Sequence, residues 1–199
     1  MTVTGAGMLW VGWFGFNAGS ALAANGDAGM AMLVTHMSAA AGAFTWMCIE
    51  WVKFGKPSAL GAVTGMVAGL GTITPASGFV GPAGALVIGV SAGFVCFHMT
   101  MFLKQKLGID DSLDVFPVHG VGGALGTILA GVFASSSLGL FSGHGDGQPI
   151  TEQLVIQLIG VGSVGIYTAI LTFILLKAID VVVGLRVSEE EEIEGLDIN

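Results

Sequence analysis

Long apolar stretches alternate with short polar connections along the whole chain, and the stretches, not the connections, carry most of its length. A membrane-spanning helix needs about 20 mostly apolar residues. Six segments approach that length: 2–21, 30–53, 58–74, 81–103, 113–134 and 151–181. The third is short, and the sixth is long enough to tilt or to project past the bilayer. The pattern predicts an all-α integral membrane protein with a transmembrane domain over 1–184 and an acidic cytoplasmic tail over 185–199. No block of sequence is duplicated within the chain.

Composition supports the pattern. Of the 199 residues 53% are hydrophobic and only 10% charged, against roughly 25% charged in an ordinary soluble domain. The net charge of −8 describes a tail more than a surface, because five of the acidic residues fall in the single run "SEEEEIEG". No basic, aromatic-interleaved surface points to nucleic acid. Cys48 and Cys96 both lie in apolar segments, and the four histidines are scattered, so neither a disulfide framework nor a metal-ligand spacing is indicated. No basic n-region or small-residue cleavage site precedes the first apolar stretch, so no signal peptide is read there.

The basic residues orient the spans. Lys53 and Lys56 fall between the second and third spans, Lys104 and Lys106 between the fourth and fifth, and Lys177 and Arg186 at the end of the sixth, while the other connections carry none. Lys and Arg favour the cytoplasmic side, which predicts that the chain begins and ends inside. Trp46 and Trp51, near the inner end of the second span, fit an interfacial aromatic belt. Gly61, Gly65 and Gly69, and likewise Gly89 and Gly93, recur every four residues, a spacing that lets a neighbouring helix approach closely.

Three features carry candidate chemistry. Trp13, Phe16 and Ser20 share one helical face, with Ser20 nearest the outer mouth. On spacing alone this stripe reads as packing as readily as a path, and Asn17 reads as a helix–helix hydrogen-bonding residue. His119 stands two residues after Pro117, whose missing N–H loosens the helix. An imidazole at that depth suits a proton relay or a polar pore lining, and equally suits a neutral ring bonded to a neighbouring helix. His36 and His98 read as packed or interfacial, and His144 as solvated in the outer loop. "GVSAG", residues 89–93, matches the nucleophile-elbow motif, but that motif needs a strand–turn–helix context and here falls inside an apolar helix. No enzyme is predicted.

The stretches "GWFGFNAGSALAANG" (12–26), "GTITPASGFVGP" (71–82), "DVFPVHGVGGALGT" (114–127) and "GLRVSEEEEIEGLD" (184–197) resemble signatures of the ammonium transporter family, whose animal relatives are the Rhesus proteins. The resemblance implies a fold in which these six helices correspond to the second inverted repeat plus the long last helix of an eleven-helix transporter. By it Ser20 matches the serine of the outer recruitment site, Phe16 one of two stacked gating phenylalanines, Trp13 a pore-lining tryptophan and His119 the second of a histidine pair. The second phenylalanine, the recruitment-site tryptophan, the first histidine and a buried aspartate belong to the repeat that this sequence does not resemble. Beginning flush with an apolar helix suggests a fragment, a split gene product or an internal start. The implied function is ammonium or ammonia transport across the inner or plasma membrane, in a homotrimer, without cofactor, with a missing first-repeat half and a PII-type signal protein as partners. The alternatives are a non-conducting ammonium sensor or regulatory subunit, and an inactive fragment that needs a first-repeat partner.

Overall fold

The computed structural model describes residues 1–135 and 149–197. His144, read from the sequence as solvated, and most of the loop before the last long helix lie outside the described residues. The chain divides into two compact units, Met1–Leu158 and Ile159–Asn199, and among the described residues its regular structure is helical.

In the first unit, α1 covers Thr2–Gly19, α2 Gly26–Phe54, α3 Ala59–Ile73, α4 Pro82–Phe102 and α5 Gly122–Phe133, and α6 begins at Ile150. Local chemistry sets the boundaries. The Asn25 side chain accepts from the Ala28 N–H to cap α2, and Gly55, at φ 77°, ends it in the left-handed region. Ser58 caps α3 through the Gly61 N–H at 2.8 Å, and Pro82 sits at the start of α4, where its missing donor costs nothing. A tight 3₁₀ turn, Thr74–Ala76, extends α3. Two π-helical turns flank the connection between α4 and α5, Leu103–Leu107 after α4 and Phe116–Val121 before α5.

Among the described residues five helices are long and apolar enough to cross a membrane: Gly26–Phe54, Ala59–Ala76, Pro82–Leu107, Phe116–Phe133 and Ile150–Val182. They coincide with the second to sixth predicted spans. α1 forms where the first span was expected, but it is not among these five.

α2, α3 and α4 form the centre of this unit, with α1 against α2 and α3, and α5 against α3. The four-residue glycine spacing serves the close approach it predicts. A Cβ at Gly69 would stand 2.9 Å from Ala39 Cα, and one at Gly93 would stand 2.8 Å from Thr45 Cβ. The Ser38 hydroxyl crosses the same seam to donate to the Gly69 carbonyl at 2.9 Å.

Trp46 departs from its predicted place in an interfacial belt. It is 4% exposed and meets Phe97 edge to face at 5.2 Å, because it lies one turn beyond Gly42 on the face that packs into the bundle. Trp51, at 64% exposure, stays on the surface. His36 stacks against Trp10 and Phe14 of α1, and His98 lies over Phe94 with its Nδ1 hydrogen-bonded to the Phe94 carbonyl. Both are packed as expected. "GVSAG" is continuous α-helix within α4, so Ser91 has no elbow.

The second unit holds the remainder of α6, which ends at Val182, and the short helix α7, Glu189–Glu194. Four glutamates open α7, where the helix dipole favours negative charge. Ser188 and Glu191 form a reciprocal capping box, and Arg186 grips Glu192 through two nitrogens at 3.2 and 3.0 Å.

The Ser188 backbone N–H, then its hydroxyl, hold the Glu191 carboxyl below its ordinary value of 4.5, and hydrogen bonding from Arg186, then its charge, does the same for Glu192. Folded values below the unfolded ones mean that this stabilisation is present above the ordinary glutamate range and is lost as pH falls through the lowered values. Carbonyl NMR of Glu191 and Glu192 in the full chain is therefore expected to give midpoints below 4.5, with R186Q raising that of Glu192. Midpoints at the ordinary value in the unsubstituted chain would contradict the folded tail.

Candidate functional site

The residues of α1 at three- and four-residue spacing, Leu9, Trp13, Phe16 and Ser20, define a line along which three cavities follow one another. The first, about 390 Å³, is bordered by Phe16, Asn17, Ser20, Asp27, Thr74 and Phe79 among others. The second, about 580 Å³, is lined by α1 alone, through Gly5, Met8, Leu9, Gly12, Trp13 and Phe16. The third, about 350 Å³, takes in Gly5, Leu9, Thr64, Asp114 and His119. Phe16 is common to the first two, and Gly5 and Leu9 to the second and third. All four residues singled out in the sequence thus border one or another of these three cavities along α1.

Each is held by its own backbone or a neighbouring helix. The Trp13 Nε1–H donates to Thr74 Oγ1 at 2.8 Å, and Thr74 donates onward to the Leu70 carbonyl, which fixes the indole plane. Phe16 presents its edge to Trp13 with ring centroids 6.3 Å apart and is 64% exposed. The Ser20 hydroxyl donates to the Phe16 carbonyl at 2.8 Å, so its proton is committed while its lone pairs remain able to accept from an N–H cation. Asn17 is buried and donates to Thr35 Oγ1 at 2.9 Å, the helix-joining role expected of it.

His119 lies in the π-helical turn Phe116–Val121, an arrangement that interrupts regular helix and recurs at functional sites. Pro117, lacking a donor, opens that turn, and the Gly122 N–H reaches back to the carbonyls of both Pro117 and His119. The imidazole borders the third cavity opposite α1 and α3; a Cβ at Gly71 would stand 3.9 Å from its Nδ1.

Two acidic residues at the borders of these cavities escaped the sequence reading. Asp27, in the first turn of α2, borders the Ser20 cavity, and Asp114 borders the His119 cavity. Each adds a carboxylate-bearing residue to the border of its cavity. Asp27 carried a faint signal as a charge beside a helix start, while Asp114 stood inside a stretch chosen for its histidine.

Apolar helices of membrane-spanning length, packed closely through glycine seams, define a multi-pass membrane protein. The family is settled by comparison: the model of the Ammonium Transporter Family matches residues 1–199, and the chain belongs to that family. It is 50% identical over 199 residues to ammonium transporter Amt1 of Archaeoglobus fulgidus, covering 100% of this chain and 50% of that protein. It is 49% identical to a putative ammonium transporter of Methanothermobacter thermautotrophicus, covering 100% and 49%. Among solved structures it superposes on one described as "Sensor Amt Protein" with a TM-score of 0.89 and 33% identity, covering 98% of this chain and 47% of the other. Saccharomyces cerevisiae Mep2 matches with a TM-score of 0.83 and 38% identity, covering 95% and 44%. The chain spans about half the length of the curated relatives it matches.

Proposed function

We infer that this chain supplies the second-repeat half of an ammonium-conducting path, with ammonium taken up at Ser20, passed by Phe16 and Trp13, and delivered as ammonia to His119. The observation that carries this reading is the run of cavities joining those four residues along α1. Aromatic faces and hydroxyl oxygens can hold a small cation at the mouth. Beyond them an apolar groove makes charge costly and favours the neutral form of an amine. Ammonium can shed a proton and continue as ammonia, whereas potassium has none to shed.

The second cavity has only α1 for a wall, which supports a partner bearing the first repeat as its other side. Helices of two inverted repeats line such paths together in other transporters. The placement of every Lys and Arg supports cytoplasmic termini, in an inner or plasma membrane. Family likeness supports assembly as a homotrimer and recognition of the tail by a PII-type signal protein. The sensor alternative draws on the likeness to the solved protein described as "Sensor Amt Protein"; it requires ammonium binding without current.

Ammonium-evoked current in proteoliposomes separates these readings. The 199-residue chain alone is expected to be silent, and its co-reconstitution with a first-repeat chain to conduct. Current from the lone chain would overturn the half-path reading, and binding without current in the pair would favour the sensor.

A further inference from the structure

The connection between α4 and α5 holds a strained residue whose conformation a distant charge can control. Asp114 adopts φ 56° and is one of two non-glycine residues with positive φ among those described, the other being Leu22. Residues other than glycine, asparagine and aspartate rarely accept that region, and aspartate, unlike glycine, gives up stability there. Asp114 is joined to Lys104, ten positions earlier in the π-helical turn after α4, by an ion pair of 2.6 Å, with side-chain exposures of 16% and 38% respectively. The Asp114 carbonyl accepts the Val118 N–H at 3.1 Å. That bond ties Asp114, just before the turn, to a residue of the turn that carries His119. Asp111 contributes separately, its carboxylate capping the Val115 and Phe116 N–H groups at 2.9 Å each.

We propose that Lys104 is a positioning residue for His119: its pairing with Asp114 holds the left-handed backbone that starts the π-helical turn and so sets where the imidazole stands in its cavity. The chain of cause is short. The ammonium fixes the carboxylate, the carboxylate fixes the Asp114 backbone, the Asp114 carbonyl receives Val118, and His119 follows directly. Without the pair, the left-handed conformer loses its tether against ordinary backbone preference, and its population relative to others falls by about fivefold or more. The inference rests on the reading of His119 as a residue of the path, but its test concerns geometry alone, so either can fail without the other.

The experiment is the rate of diethylpyrocarbonate modification of each histidine, read by mass spectrometry on the full chain in lipid nanodiscs. His36, exposed, and His98, partly exposed, lie on other helices and serve as internal references. K104M is expected to change the His119 rate by about fivefold and to leave the references unchanged, while K104R keeps the rate of the unsubstituted chain. The double variant K104M/D114G is expected to restore that rate, because glycine holds positive φ without a tether. An unchanged His119 in K104M, a parallel change at all three histidines, or failure of D114G to restore the rate would each overturn the proposal.

Discussion

Replacing His119 by Asp, in this chain reconstituted with a first-repeat chain, is expected to admit potassium. In the proposed path an apolar lining would exclude a bare cation, because removing an ion from water costs several kcal/mol even after relaxation. A carboxylate at the His119 position offsets much of that cost. At 4 Å and an effective dielectric near 20 it attracts a monovalent cation by about 4 kcal/mol, and each 1.4 kcal/mol is roughly a tenfold change in occupancy. Potassium current relative to ammonium current is therefore expected to rise by about tenfold or more. His119→Ala, which removes the imidazole without adding charge, is expected to lower ammonium current while still excluding potassium. Bi-ionic reversal potentials measure both effects. Unchanged discrimination and unchanged current in the two variants would remove His119 from the path.

Gly69→Val is expected to disrupt the α2–α3 seam more severely than loss of any single polar contact in this unit. The new Cβ would meet the Ser38 carbonyl oxygen and stand 2.9 Å from Ala39 Cα. These are backbone atoms of a facing helix and cannot rotate away. Separating the helices to admit the side chain also stretches the 2.9 Å bond from Ser38 to the Gly69 carbonyl. Overpacking of this kind costs about 1–3 kcal/mol, to which the strained hydrogen bond adds about 1 kcal/mol. Gly71→Ala is the control, since its Cβ would have 3.7 Å to the nearest atom, the Val118 carbonyl oxygen. Thermal unfolding of the two variants in detergent should place G69V well below the unsubstituted protein and G71A close to it. Equal midpoints for all three would show that α2 and α3 do not pack as closely as described.

The candidate site divides in the same way as the fold. Ser20, Phe16 and Trp13 share a helical face by spacing alone, and that face borders the cavities along α1. The same spacing left packing as an equal reading, since nothing within α1 shows what stands opposite. Thr74 settles Trp13 from sixty-one positions away. Asp27 and Asp114 gain their place only when α2 and the connection between α4 and α5 fold beside those cavities. A charge next to a helix end has many ordinary uses, so neither stood out in the linear pattern.

The linear sequence by itself determined the helices and their ends, because hydropathy runs, the caps Asn25 and Ser58, Pro82 and Gly55 act within a few residues of one another. It also determined which helices can pack closely, because a missing Cβ is a local fact. Tertiary structure alone decided that Trp46 is buried, not interfacial, since its burial depends on which face of α2 meets Phe97. It decided, too, that His119 rides on a π-helical turn tied through Asp114 to Lys104. Proline marks a loosened helix, but how the turn closes depends on partners distant in the chain, and their meeting is a property of the packed bundle.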